Sequence, residues 1–237
     1  IDQEKVLNFT FNGQILKGYE GDTLASALLA NNKHLIGRSF KYHRPRGIVT
    51  AGSEEPNAIM EIGNRAYKDP NTRATVTQLY NGLEANSQNH KGPLSFDFMA
   101  ITDFLSPLLG AGFYYKTFMW PKAFWEKFYE PAIRKSAGLG TLATEADPDT
   151  YDKGFRHCDI LIIGSGATGL SAALTAAESG AKIILADEDF LMGGRLNSET
   201  NEINGMAGSE WAKKTVAKLG AMENVTLMSD TTVFGAY

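Results

Sequence analysis

The stretch from Ile160 to Glu188 constrains this chain more than any other. Ile160-Leu161-Ile162-Ile163 is a continuous apolar run, the pattern of a central parallel strand covered on both faces. Gly164-Ser165-Gly166-Ala167-Thr168-Gly169 follows without a gap, and Leu170 to Ser179 is alanine-rich and helix-forming. Ala173 and Gly180 fall at later small-residue positions of the same pattern. Lys182 to Ala186 then reads as a second strand ending in Asp187-Glu188. Strand, glycine turn, helix and strand make one βαβ unit.

Each residue type has a physical task there. Gly164 permits the tight strand-to-helix turn, Gly166 lets backbone approach a pyrophosphate, and Gly169 lets the helix lie close on the strand. Free amides and the dipole of the helix N-terminus then hold negative charge, with Thr168 in the same turn. Asp187 lies 23 residues after Gly164. A carboxylate at that strand end accepts hydrogen bonds from an adenosine ribose and repels a 2'-phosphate. NAD or FAD is therefore favoured over NADP, with Arg195 the nearby feature pointing the other way. NAD and FAD share the fingerprint, so these residues leave that choice open. A bare GxGxxG recurs by chance, but here the strand, helix, small positions and acidic strand end agree.

Gly205 to Ala221 reads as a further helix and Val225 to Phe234 as a strand or hairpin. A complete domain of this type needs several more strands, so residues 157–237 are expected to be the start of a Rossmann-like FAD/NAD(P)-binding domain. No catalytic residue is assigned to the chain.

The N-terminal part has a different texture. Leu7, Phe9 and Phe11 alternate with polar residues, Asn12-Gly13 suits a two-residue turn, and Ile15-Leu16 begin a return strand. Thr23 is an N-cap for a helix carrying Leu24, Ala27 and Leu28, which ends near Asn31-Asn32. Hairpin then helix suggests a β-grasp-like domain over residues 1–95, with one more strand expected at Ala74–Leu79. The fold class is thus α/β and α+β. Lys41, Arg44 and Arg46 either hold an anion, such as a flavin phosphate or an acidic partner face, or belong to a solvated or internally paired loop.

Residues 96–156 form an aromatic-rich connecting segment. Phe104, Phe113, Tyr114, Tyr115, Phe118, Trp120, Phe124, Trp125, Phe128 and Tyr129 crowd together, while Pro107, Pro121 and Pro131 divide the segment into short helices. These rings either pack between the flanking domains or dock another subunit. Glu145 to Gly154 reads as a linker.

Composition narrows the partners. With 23 basic and 27 acidic residues the net charge is -4, so no global positive field gathers nucleic acid or anionic lipid. Asp97, Asp103 and Pro107 interrupt the most lipid-like window, so no membrane span is expected. Cys158 is the one cysteine, which excludes an intrachain disulfide and fits a reducing compartment, with the cytoplasm the simplest reading. His34, His43, His90 and His157 lack paired metal-ligand spacing, and no metal site is expected. The charged residues after Ile1 do not read as a signal peptide.

Two stretches add a resemblance. Gly37-Arg-Ser-Phe-Lys-Tyr-His-Arg-Pro-Arg-Gly47, with Ala51-Gly52 and Glu54-Glu55-Pro56-Asn57-Ala58, closely resembles the N-terminal region of the α subunits of heterotetrameric sarcosine oxidases. Gly112-Phe-Tyr-Tyr-Lys-Thr-Phe-Met-Trp-Pro121 and the dinucleotide motif stand in the same order in that family. The resemblance implies the opening part of a subunit of about a thousand residues. It also implies an enzyme that demethylates sarcosine to glycine, with oxygen as electron acceptor and tetrahydrofolate taking the one-carbon unit, in a complex with β, γ and δ subunits. NAD would sit on this chain, lined by Gly164, Gly166, Thr168, Gly169, Asp187 and Glu188, with Gly194 and Arg195 beside them. FAD would lie in the β subunit, FMN near the α/β boundary and folate on a later α domain. The N-terminal domain further resembles ferredoxin-like 2Fe-2S modules of amine and opine dehydrogenases. Between Arg44 and Ile62 it has no cysteine, so cluster ligation is not expected. A related opine, D-proline or cyanide-forming dehydrogenase subunit, or a non-catalytic scaffold, are the other readings.

Overall fold

The computed structural model describes residues 1–116 and 118–235, with the side chains of Tyr114 and Tyr115 outside what is described. The expectations on those two rings, on Thr117 within the aromatic motif, and on the last two residues therefore lie outside the described residues. The chain groups into two compact units: Ile1–Thr50 with Glu55–Asp149, and Ala51–Glu54 with the chain from Thr150 onward.

In the first unit, β1 (Asp2–Phe11) pairs antiparallel with β2 (Gln14–Glu20). Asn12 and Gly13 between them both adopt positive φ, 50° and 77°, the turn that matches strand twist. Thr23 caps α1 (Leu24–Ala30) in a reciprocal box: its Oγ1 accepts from the Ser26 amide at 3.0 Å, and Ser26 Oγ accepts from the Thr23 amide at 3.0 Å. The helix lays Leu24, Ala27 and Leu28 against Phe9, Phe11 and Leu16. β3 (Gly37–Arg38) pairs with β4 (Pro45–Arg46), while β5 (Ile59–Ile62), β6 (Asp69–Arg73) and β7 (Glu84–Ser87) complete a sheet of order β2-β1-β7-β5-β6. β7 runs parallel to β1, which makes this the expected β-grasp.

The strand expected at Ala74–Leu79 lies instead at Asp69–Arg73. Residues 74–79 supply carbonyls to the open end of α1: the Leu24 amide donates to Thr77 and the Ala25 amide to Ala74, each at 2.9 Å. Ala74 and Leu79 are buried, so the apolar spacing that suggests a strand serves a helix N-terminus.

The remainder of the unit is short turns of helix, as the prolines require: α2 (Ile101–Phe104), α3 (Phe113–Lys116) and α4 (Glu130–Lys135), joined by single turns. Its aromatic rings are not a buried core. Phe104 is 87% and Trp120 83% exposed, and Phe98 and Phe128 are also exposed. The rings mostly touch each other, with Phe118–Tyr129 centroids 5.2 Å apart and Phe124–Phe128 5.1 Å.

In the second unit β8 (Ile160–Ile163), α5 (Ala167–Glu178) and β9 (Ile183–Ala186) form the expected βαβ unit. The hairpin β10 (Glu202–Ile203) and β11 (Met206–Ala207) leads into α6 (Gly208–Gly220), and β12 (Val225–Met228) joins parallel to β9. The sheet order is β12-β9-β8. β9 is the central strand with all its residues buried, and β8 is the outer one, with Ile160, Leu161 and Ile163 exposed. Leu170, Ala173 and Ala177 of α5 pack with Ile183, Leu185, Ala212 and Leu219.

Candidate functional site

At the carboxyl ends of β8 and β9 the glycine loop closes onto the second strand. The Gly164 amide donates to the Ala186 carbonyl at 2.8 Å, and Gly164 turns with φ +90°. Ser165 is fully buried, its amide donates to Asp187 Oδ2, and its Oγ accepts from the Gly193 amide at 2.9 Å. Gly166 is the N-cap of α5 with no side chain bonded to the first helical amides, so that positive end is left for an external anion. At Gly169 a Cβ would lie 1.8 Å from the Gly164 carbonyl oxygen, so helix and strand approach this closely only with glycine there.

Gly194 lies over the same loop, since a Cβ on it would meet the Gly166 Cα at 3.2 Å. The fold thus brings Gly164, Gly166, Gly169, Asp187 and Gly194 together. Thr168, in the first turn of α5, and Glu188, beside Asp187, are exposed. Arg195 is exposed and paired with Glu199 at 2.6 Å.

Asp187 is buried and also accepts from the Asp189 amide through Oδ1 at 2.9 Å. Asp189 has one buried carboxylate oxygen without a partner. Burial, followed by the charges of Asp187, Glu188, Glu54 and Asp230, pushes its carboxyl up to about 6. Sequence reading missed Ser165, Gly193 and Asp189. The Asp-Glu-Asp triplet was the available signal for the last.

The loop Val49–Ala58, where a ferredoxin-like domain would place cluster ligands, is organised differently. Glu55 is 1% exposed, and its carboxylate accepts from the amides of Val49 (2.8 Å), Thr50 (2.6 Å), Asn57 (2.7 Å) and Ala58 (3.2 Å). Burial opposes ionisation, but the amides of Thr50, Asn57, Val49 and Ala58 outweigh it and hold the carboxyl below the usual glutamate range. A four-thiolate cluster does not fit a loop without cysteine. Among the described residues no group of three or more His, Cys, Asp or Glu could hold a metal ion, and no helix is long and apolar enough to cross a membrane.

The basic run is also engaged internally. Arg44 pairs with Asp103 at 2.7 Å, and the Lys41 ammonium lies 4.9 Å from the Tyr42 ring centroid and 5.1 Å from that of Phe113.

Residues 4–90 match the 2Fe-2S iron-sulfur cluster binding domain family, and residues 159–226 match the FAD dependent oxidoreductase family. Over 237 residues the chain is 57% identical to sarcosine oxidase subunit alpha of Rhizobium meliloti (strain 1021), covering all of this chain and 24% of that protein. It is 34% identical over 241 residues to sarcosine oxidase subunit alpha of Corynebacterium sp. (strain U-96), of which it covers 20%. The chain therefore spans about a quarter or less of the length of these relatives. Among solved structures, L-proline dehydrogenase from P. horikoshii shares the fold with TM-score 0.53 and 18% identity, over 97% of this chain and 34% of that one.

Proposed function

We propose that this chain, a homologue over its whole length of the N-terminal part of sarcosine oxidase α subunits, is the NAD-holding portion of such a subunit. The intact protein would be an amine oxidoreductase that converts sarcosine to glycine, with oxygen and tetrahydrofolate as co-substrates. FAD and FMN would be carried elsewhere in a cytoplasmic complex with β, γ and δ subunits. This chain's own work is binding. The first amides of α5, those of Ala167 and Thr168, would hold the pyrophosphate, Gly166 and Gly194 would leave room for it, and Asp187 and Glu188 would meet ribose hydroxyls. The exposed rings of Phe104, Trp120 and Phe128 would serve as contacts for the other subunits.

The observation that carries this reading is the buried Asp187 at the end of β9, which accepts from the Ser165 amide beside a helix N-terminus with no side-chain cap, an arrangement that suits the ribose and pyrophosphate of a dinucleotide. The 57% identity over the whole of this chain to a quarter of a sarcosine oxidase α subunit supports the wider assignment. A second reading, FAD on this chain, is favoured by the family match at residues 159–226. The opine, D-proline or cyanide-forming dehydrogenase reading is weakened by the missing cluster thiolates.

The test is to purify the intact protein that carries this chain, denature it and identify the released nucleotides by mass. NAD in proportion to α subunit supports the first reading. FAD with no NAD supports the second, and no nucleotide from this subunit supports a scaffold. Oxygen uptake and peroxide release with sarcosine, compared with proline and opines, tests the substrate.

A further inference from the structure

Apart from the nucleotide loop, the first unit holds a cavity of about 260 Å³, lined among others by His43, Gln88, Lys91, Lys135, Ser136 and Thr141. That is below the range of about 300–1,000 Å³ for drug-sized ligands and suits a small metabolite rather than a dinucleotide. We propose that this cavity binds a small oxyanion, a carboxylate or a phosphate group, through the His43 imidazole and the ammonium groups of Lys91 and Lys135.

A buried carboxylate sets the state of His43. The Asp97 side chain is fully buried; its Oδ1 accepts from the amides of Lys91 at 3.0 Å and Met99 at 2.9 Å, and its Oδ2 lies 2.6 Å from His43 Nδ1. Burial opposes its ionisation, but the two amides and His43 outweigh that and hold the Asp97 carboxyl below the usual range. An ionised partner puts the proton on His43 Nδ1, which leaves Nε2 as the free ring nitrogen. His43 is itself 7% exposed and lines the cavity, and no hydrogen bond to Nε2 is formed among the described residues. Its backbone is held at φ +54°, with the amide bonded to the Ser39 carbonyl and the carbonyl bonded to Arg38 Nη1. A non-glycine residue kept there costs energy, and such positions cluster at binding sites.

The surrounding charge favours an anion. Lys91 and Lys135 form no ion pair among the described residues, while Glu61 in the lining is paired with Lys68 at 2.8 Å. His90 is already committed, with Nδ1 bonded to the Gly92 carbonyl and Nε2 to Ser87 Oγ. The far wall is the strap Ser136–Thr141, fixed by Asn71 Nδ2 donating to the Leu139 carbonyl at 2.9 Å. Gly140 turns there with φ +69°, and a Cβ on it would fall 2.4 Å from Pro70 Cβ, so only glycine lets the strap close this tightly.

An anion reaching Nε2 is held by a proton on that nitrogen, and Asp97 supports the ring from Nδ1. The charged groups around it are Asp97, Glu61 with Lys68, Lys91, Lys135 and Arg38.

The experiment is calorimetric titration of the intact protein with inorganic phosphate and, separately, oxalate. Saturable binding of either probe in the millimolar range is expected; phosphate alone identifies a phosphate group and oxalate alone a carboxylate. The double variant Lys91→Gln/Lys135→Gln, at exposed positions, should bind at least about tenfold more weakly with unchanged circular dichroism. His43→Gln, which cannot set a charged ring against the anion, should also bind more weakly. Failure of both probes at about 10 mM, unchanged affinity in the lysine variant, or competition between the probe and NAD would overturn the proposal.

Discussion

Two loops in this chain gather backbone amides around a carboxylate, and they do so to opposite ends. At Val49–Ala58 the amides converge on Glu55, which is buried and ionised, so the loop is filled by its own side chain. At Gly164–Asp189 the strand-end carboxylate takes the Ser165 amide, but the helix amides after Gly166 have no side-chain cap. The first loop stands where a ferredoxin-like domain would carry its cluster and needs no ligand to be satisfied. The second keeps donors and acceptors that suit a pyrophosphate and a ribose. A loop can thus be satisfied by one of its own carboxylates, with no ligand needed to receive its amides.

The sharpest way to break this contrast is at Gly169. Gly169→Ala sets a methyl group on the Gly164 carbonyl oxygen and is expected to destabilise the second unit by about 3 kcal/mol or more, with loss of nucleotide. Gly166→Ala has no atom within 4 Å of the added carbon. It should retain the unfolding transition and still lose nucleotide, because only the ligand would meet that methyl. If both variants lost stability alike, the loop would be structural in the same sense as the first.

Next is Glu55. Glu55→Ala strands buried amides and should cost about 3 kcal/mol in thermal or urea unfolding of the first unit. The acid limb gives a second check. The folded carboxyl lies below its unfolded value, so its contribution is complete above about pH 4.3 and is lost as pH falls through the lower folded value. Glu55→Gln should flatten that limb. A variant as stable as the parent at every pH would remove Glu55 as the organiser of the loop.

How much of this was legible in the sequence follows from the range of the forces involved. The hairpin at Asn12-Gly13 and the Thr23 cap are set by residues within a few positions of one another, and the βαβ unit by a motif that runs 23 positions from Gly164 to Asp187; each is found as read. Ala74–Leu79 was misread because burial against a helix end and burial in a strand leave the same apolar trace. The His43–Asp97 pair joins residues 54 positions apart, so no spacing rule could find it, whereas Glu55 accepts amides within six positions and was missed because a loop carboxylate reads as solvated until its burial is known. Among the glycines and acids of the nucleotide loop, the proximity of Gly164, Gly166, Gly169 and Asp187 was legible, whereas Ser165 and Gly193 enter through a hydrogen bond 28 positions long.

Asp187→Asn sharpens the comparison at the site itself. It keeps an acceptor for the Ser165 amide, sets its Nδ2 against the Asp189 amide, and removes one charge from the array where the proposed ribose would lie. NAD affinity is expected to fall about tenfold, and the preference for NAD over NADP to narrow, as read by titration with both. Equal weakening for the two nucleotides would mean that Asp187 orders the loop without sorting the ribose.

The smallest effect belongs to Asp189, and its sign is opposite to that of Glu55. Glu55 is held ionised by donors, whereas Asp189 has a buried oxygen without a partner and sits among like charges, which raises its carboxyl to about 6. The folded state therefore disfavours the ionised form. This penalty is absent at about pH 4, where the unfolded group also begins to protonate, and it grows as pH rises to about 6, above which it is complete. Asp189→Asn removes the charge at constant shape, so the variant should match the parent near pH 4 and exceed it at pH 7.5. Because the site is partly solvated, the gain is a few tenths of a kcal/mol, a small rise in melting temperature. A gain of the same size at both pH values would show that shape rather than charge strains the loop, and the contrast with Glu55 would then rest on hydrogen bonding alone.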